Sequence, residues 1–152
     1  MAKDSTISNN KRAFHDFTIL DKLEVGIVLE GHEVKSIRKN KVTLRDTYVR
    51  IINEELWLIG CHITPYAQAH LVTHITPMRD RKLLIHKQQI KRWIGKVKEK
   101  GYTLLALNMY FKNNRIKLEV GMGKSKKAFD KRKVLKEREQ KREIERAVKN
   151  NY

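Results

Sequence analysis

The spacing in this chain that best suits metal chemistry is "HLVTH", with His70 and His74 four residues apart. Zinc is held by such a pair when it lies on a helix with a Glu beside the first His and a further ligand close by. Here no Glu is adjacent, and the pair sits in a segment bounded by Pro65 and Pro77, so it reads as two loop histidines. Cys61 and His62 are a second candidate. On a strand, neighbouring side chains point to opposite faces, which separates a thiol from its base. Glu24, Glu33, Asp46 and Glu119 stand singly among basic residues, with no pair for acid–base work. There is no Gly-rich phosphate loop and no G-x-S-x-G elbow. These residues call for no cofactor and no metal, and an enzyme is not expected.

Binding chemistry fares better. "NNKRAFHDF" places Asn10, Lys11, Arg12 and His15 beside Phe14 and Phe17. That mixture supplies cations for phosphates, an amide for base or sugar edges, and rings for stacking. The competing reading has the two Phe begin the core while Lys11 and Arg12 are merely solvated. "RDRKLLIHK" and "YFKNNRIK" add cations next to expected strand ends.

The charge balance points the same way. In 152 residues, 34 Lys and Arg stand against 17 Asp and Glu, a net +17. Such an excess repels itself in a compact fold, and a polyanion is its natural partner. The imbalance deepens at the end of the chain, where residues 124–149 hold twelve Lys or Arg and five acids. Helix formers dominate there, and Glu137–Lys141 and Glu145–Lys149 are favourable i, i+4 pairs. Yet no large apolar residue lies between Leu135 and Ile144, so no apolar stripe forms to hold a helix against a body. The segment is expected to fluctuate alone and to order on a polyanion, RNA above all. It lacks a heptad seam for a coiled coil, and its apolar face is too small for a membrane surface.

Stepping outward, the elements that must carry these residues are short strands. Residues 1 to about 10 are polar and lack periodicity, so they read as a loose arm. "FHDFTIL" and "EVGIVLEG" suit a half-buried strand, bent at Gly26. "GHEVKSIRKN" suits a short helix, with Val34 and Ile37 three apart. "TLRDTYVRII" and "ELWLIG" form a hairpin signal, as do "YTLLALNMYF" and "RIKLEVGMG" around "KNN". In the last strand Ile116, Leu118 and Val120 alternate with Lys117 and Glu119, leaving one face charged. "RKLLIHKQQIKRWIGKVKEKG" is the clearest helix, with Ile90, Trp93, Ile94 and Val97 on one side and Gly101 as its cap. Residues 61–82 are too long and too irregular for a routine turn. The single cysteine, Cys61, permits no internal disulfide and reads as a small core residue in a reducing cytosol. No apolar run is long enough to span a membrane, and the N-terminus lacks a secretory signal's apolar core. The fold class expected is mainly β with flanking helices: an OB-like β-barrel over 1–123, short helices around it, and a basic helical or disordered tail over 124–152.

"NKRAFHDF", "EVGIVLEGHEVKSIR", "RDTYVRI", "HITPY", "RKLLIHKQQIKRWIGKVKEKGYTL", "YFKNNRIKLEVG" and "KKAFDKRKVLKEREQKREIERA" follow one another in this order. Together they resemble the small protein B family, the SsrA-binding proteins, from Asn10 to nearly the end of the chain. The resemblance implies an OB-like barrel that binds the tRNA-like domain of transfer-messenger RNA. It implies a role in trans-translation, the rescue of stalled ribosomes, in the cytoplasm. Asn10, Lys11, Arg12, His15, Glu24, Leu84 and Lys117 match residues of the family's RNA-binding surface. Leu84 fits a core place equally well.

The tail's resemblance implies entry into the empty mRNA channel beside the decoding region of the small ribosomal subunit, where it turns helical. Lys126, Lys127, Asp130, Lys131 and Arg132 match the signature implicated in accommodation. Elongation factor Tu is implied as an indirect partner through the charged RNA. Three residues depart from the family pattern. Phe17 stands where Tyr is usual, Ser125 where Gly is common, and Phe129 where His or Tyr is typical. A general single-stranded-RNA-binding OB module with a basic tail is the alternative function.

Overall fold

The computed structural model describes the backbone of residues 5–67 and 75–150, and the side chains of these residues except 127–137 and 150. The elements in order are β1 (Ser5–Asn9), α1 (Lys11–Asp16), β2 (Phe17–Ile27), α2 (Gly31–Arg38), β3 (Val42–Thr43), β4 (Tyr48–Ile52), β5 (Glu55–Ile59), β6 (His62–Ile63), β7 (Arg81–Leu84), α3 (Lys87–Lys100), β8 (Thr103–Lys112), β9 (Arg115–Ser125) and α4 (Lys126–Asn150). The chain is thus mainly β with a few helices, as its strand patterns imply. All pairings are antiparallel, in the order β1-β8-β4-β5-β7-β2-β9, and β8 also pairs with β9. Pairing therefore runs through six strands and returns to β8. β3 and β6 form a separate small ladder.

Both hairpins turn where Asn residues tolerate positive φ. Asn113 and Asn114 join β8 to β9 at φ 51 and 61°, and Asn53 and Glu54 join β4 to β5 at φ 50 and 61°. Inward-facing residues of the paired strands, including Val25, Leu56, Leu58, Leu83, Met109, Leu118 and Val120, are all but sealed from solvent. α3 adds Ile90 and Trp93 to that core, each such side chain contributing about 1.5–3 kcal/mol of burial. Gly101 caps α3 at φ 65°, its N–H donating to the Val97 carbonyl at 2.9 Å. Cys61 is fully buried, and that burial pushes its thiol up to about 11, so it stays protonated within the core.

Four expectations need correction. The polar arm is a strand from Ser5 onward, because the edge of β8 offers it backbone partners from Asn108 to Phe111. "KRAFHD" is helix α1, not the start of a strand, and β2 begins at Phe17. Arg81–Leu84, placed with the helix, is instead β7, inserted between β5 and β2. Finally, β9 continues to Ser125, with Lys124 and Ser125 opposite Thr18 and Phe17, so the body ends two residues beyond Gly123. α4 then runs as one 25-residue helix. Its side chains from Arg138 to Lys149 are all exposed, Ile144 and Val148 included. The absence of an apolar stripe is visible in this helix as the lack of any buried side over those residues.

A buried ion cluster holds α2 to the long 61–82 segment. Glu33 and Arg81 are almost wholly sequestered, at 2% and 0% exposure. Arg81 Nε donates to Glu33 Oε2 at 2.6 Å, and its Nη1 donates to the carbonyls of Cys61 at 2.8 Å and Arg79 at 3.0 Å. Nη2 donates to the Pro77 carbonyl at 3.1 Å. Arg79 also donates to Glu33, and the Glu30 N–H donates to Glu33 Oε1 at 2.9 Å as part of a capping box. Burial by itself would raise the Glu33 carboxyl. The donors from Arg79, Glu30 and Arg81 outweigh it and hold the group below its usual range. One guanidinium thereby gathers carbonyls from both ends of the long segment.

Candidate nucleic-acid interface

The outer face of β2, β9 and β8 is built by simple alternation. Val25, Leu118 and Met109 lie opposite one another and point inward. The neighbouring rows therefore point outward. One row is Glu24, Glu119 and Asn108; the next is Leu84, Gly26, Lys117 and Tyr110, running from β7 to β8. A Cβ at Gly26 would lie 3.2 Å from that of Leu84, so glycine there lets the leucine close over the strand. Leu84 is 55% exposed, which removes the core reading of that residue.

The polar side chains of this face are tied together. The Tyr110 hydroxyl donates to Glu24, and Lys112 Nζ lies 3.2 Å from Glu24 Oε2. The Tyr110 hydrogen bond, helped by Lys112 and Lys117, holds the Glu24 carboxyl below its usual range. Asn108 Nδ2 donates to Glu119 Oε1 at 3.0 Å, and Lys22 Nζ lies 3.8 Å from that oxygen. Among the described residues Lys117 makes no ion pair. Beside it a cleft of about 340 Å³ is lined by Leu84, Ile116 and Gly26 on its apolar side and by Arg38, Arg115 and Lys117 on its cationic side.

At the other end of the face the row ends in glycines. A Cβ at Gly121 would lie 2.5 Å from Leu107 Cδ1, so only glycine leaves room for that side chain. Leu105, Leu107 and Ala13 form a second small core there, with Phe14, Phe17 and Ile19 against it. α1 is seated on this patch and carries Lys11, Arg12 and His15 to the surface, all exposed. Arg12 lies 3.5 Å from both Asp16 and Asp46, and His15 Nδ1 shares a hydrogen bond with Asp16 Oδ1 at 3.0 Å. Lys22 links the two ends of the face, its Nζ also standing 5.5 Å from the centre of the Phe14 ring.

Asn10 lies beneath α1. It is 5% exposed; its Nδ2 donates to the Ala106 carbonyl at 2.9 Å, and its Oδ1 accepts from the Ala13 N–H at 3.3 Å. Its amide caps α1 and anchors it to β8. The structure thus brings Glu24, Leu84 and Lys117 together, puts Lys11, Arg12 and His15 on the helix at the same face's far end, and uses Asn10 beneath them.

Of the tail residues, Lys126 is described in full, its Nζ donating to the Phe14 carbonyl at 3.2 Å. Lys127, Asp130, Lys131 and Arg132 fall on α4, and their side chains lie outside the described residues. So does the side chain of Phe129, while His70 and His74 lie outside altogether. Among the described residues no three His, Cys, Asp or Glu side chains converge as a metal site, and no helix is long and apolar enough to cross a membrane. Lys22, Tyr110 and Lys112 were missed from sequence. Their signal was available: once Lys117 and Glu119 define the charged face of β9, the hairpin register sets Tyr110 and Asn108 opposite them.

Comparison with known proteins places this geometry. The family model described as SmpB protein matches residues 7–150. The SsrA-binding protein of Carboxydothermus hydrogenoformans is 50% identical over 149 residues, covering 98% of this chain and 99% of that protein. The SsrA-binding protein of Protochlamydia amoebophila is 49% identical over 147 residues, covering 97% and 95%. A chain from the solved structure "tmRNA-SmpB: a journey to the center of the bacterial ribosome" is similar with a TM-score of 0.63 at 40% identity, covering 77% of this chain and 82% of that one.

Proposed function

The chain belongs to the SmpB family, and from that membership we propose that it is an RNA-binding adaptor of trans-translation, partnered by transfer-messenger RNA and the ribosome. In this reading the returning ladder of β8, β4, β5, β7, β2 and β9 is an OB-like barrel. Its outer face binds the tRNA-like domain of the RNA. The protein supplies positioning and charge and performs no chemistry of its own, and its work lies where ribosomes are, in the cytoplasm.

One observation carries the proposal. The row Leu84–Gly26–Lys117–Tyr110 unites a cation, an exposed leucine and a phenol on one face, and α1 adds three further basic side chains at the end of that face. Lys117, Lys11 and Arg12 can meet phosphates, and Leu84 can pack against a base or ribose. Glu24, ionised by its neighbours, accepts from a base or sugar edge or orients Lys112.

α4 is the second functional surface in this account. Its basic, unburied length suits the phosphate-lined mRNA channel of the small subunit, with Lys126, Lys127, Asp130, Lys131 and Arg132 engaged during accommodation. Elongation factor Tu is met only through the charged RNA.

Competition tests the reading. Transfer-messenger RNA labelled and bound to the protein should resist displacement by an unstructured RNA of equal length, and Lys117→Gln should weaken it. Equal displacement by both RNAs would favour a general single-strand binder instead.

A further inference from the structure

Tyr66 lies in the long segment between β6 and β7, and the outer face just described makes no use of it. Its place is fixed from below. β3 pairs with β6, and the Thr64 N–H donates to the Lys41 carbonyl at 2.9 Å, which holds the chain leaving β6 against the end of α2. The half-buried Tyr66 ring then meets two ammonium groups at the end of that helix, that of the capping Lys39, with Nζ 5.0 Å from its centre, and that of Lys35 in the last turn, at 5.6 Å. Lys35 and Lys39 are like charges four apart at the C-terminal end of α2, an arrangement that is mildly unfavourable by itself.

Arg38 and Lys41 are their neighbours in the chain, and all four cations are exposed. Among the described residues none of the four has a carboxylate in ion-pair range. The acids at the opposite, N-terminal end of α2 are occupied elsewhere, Glu30 by His32 and Arg79, and Glu33 by Arg79 and Arg81. Two uncompensated ammonium groups over one aromatic ring specify a ligand that is both anionic and flat. An acidic peptide would use the charges and leave the ring idle. An unpaired nucleotide uses both, its base on the ring and its phosphates on the ammonium groups.

We propose that Tyr66, Lys35 and Lys39 form a second RNA-binding patch, which stacks one unpaired base and holds the phosphates on either side of it. On binding, the two ammonium groups leave the ring for the phosphates and the base takes their place. The RNA is transfer-messenger RNA or ribosomal RNA, and the patch stands or falls independently of the outer face.

The test uses the full chain carrying Lys117→Gln, so that loss at the patch is read apart from the outer face. The probes are an unstructured oligoribonucleotide containing 2-aminopurine, transfer-messenger RNA, and vacant small ribosomal subunits. Tyr66→Ala should weaken oligonucleotide binding about tenfold and abolish the fluorescence quenching that stacking produces, while Tyr66→Phe keeps both. Lys35→Gln with Lys39→Gln should lower the salt slope of binding by about 1.4, the value for two phosphates on a single strand. A loss extending to transfer-messenger RNA or to small subunits identifies the source. The proposal is overturned if Tyr66→Ala binds every probe as its parent does, or if Tyr66→Phe fails as fully as Tyr66→Ala. Should Tyr66→Ala not fold, the double lysine variant decides, and an unchanged salt slope overturns the proposal.

Discussion

Lys126, the first residue of α4, donates from Nζ to the carbonyl oxygen of Phe14 in α1 at 3.2 Å. The root of the tail is thus fastened to the helix that carries Lys11, Arg12 and His15. The bond also serves α1, whose last carbonyls lack partners within the helix and favour a nearby cation. Replacing Lys126 by Met removes a bond worth about 1 kcal/mol. Exchange of the hydrogen-bonded amides in the second turn of α4 should then quicken roughly fivefold, with the exchange of β9 unchanged. Unaltered exchange of those amides would mean the contact does not hold the tail.

Gly121 and Gly95 make a paired prediction. At Gly121 a methyl group would meet Leu107 at 2.5 Å, under the seat of α1, whereas at Gly95 in α3 a Cβ has nothing within 4 Å. Gly121→Ala should cost about 1–3 kcal/mol through overpacking. Gly95→Ala should stabilise by about 0.5–1 kcal/mol through helix propensity. Urea unfolding of the two variants measures both, and equal effects would contradict the packing described for the second core.

The Glu33–Arg81 pair ties stability to acid. Glu33→Gln leaves the fully buried Arg81 guanidinium without its anion, and Arg79 without its nearer one, and should cost about 3–5 kcal/mol at neutral pH. Because the folded protein holds Glu33 below its usual range, its contribution is complete above the unfolded value near ~4.3 and is lost as pH falls through the lower folded value. The stability gap between the native chain and Glu33→Gln should therefore be constant at neutral pH and narrow only below the ordinary glutamate range. Denaturant titrations across pH 3 to 7 would show it, and a gap independent of pH would refute the assignment.

Glu24 offers a direct reading of the outer face. Its carboxyl is held down first by the Tyr110 hydroxyl and then by Lys112 and Lys117. In Tyr110→Phe the Glu24 carboxyl carbon, followed by NMR, should titrate at higher pH than in the native chain. An unmoved titration would mean that the phenol does not reach the carboxylate in solution.

Much of the fold was legible because its signals are local. Asn113 and Asn114 announce a hairpin by tolerating positive φ, Gly101 announces the end of α3, and the alternation from Ile116 to Val120 assigns the faces of β9. What was not legible depends on partners distant in sequence. α1 is six residues long and is held by Asn10 bonding Ala106, 96 positions away. "RKLL" runs straight into a helical pattern, and only its place between β5 and β2 makes it a strand. Arg81 and Glu33 are 48 apart, and nothing in either one's local sequence signals the pairing. For the site, residue types were visible and resemblance supplied the selection. That Leu84 and Lys117 flank Gly26 in one row depends on register, which spacing along one strand does not contain.

The central claim is that binding of transfer-messenger RNA lives on the outer face and not in the tail. The measurement that tests it most directly is the affinity of a chain ending at Ser125, which keeps the Phe17–Ser125 and Thr18–Lys124 pairs of β2 and β9 intact. This chain should bind transfer-messenger RNA within about twofold of the full protein at moderate salt. Lys117→Gln in the full chain should bind more weakly, with a salt slope smaller by roughly 0.9, as for one lost phosphate contact on a duplex. A chain ending at Ser125 that loses binding as completely as it loses α4, with Lys117→Gln unimpaired, would contradict the account.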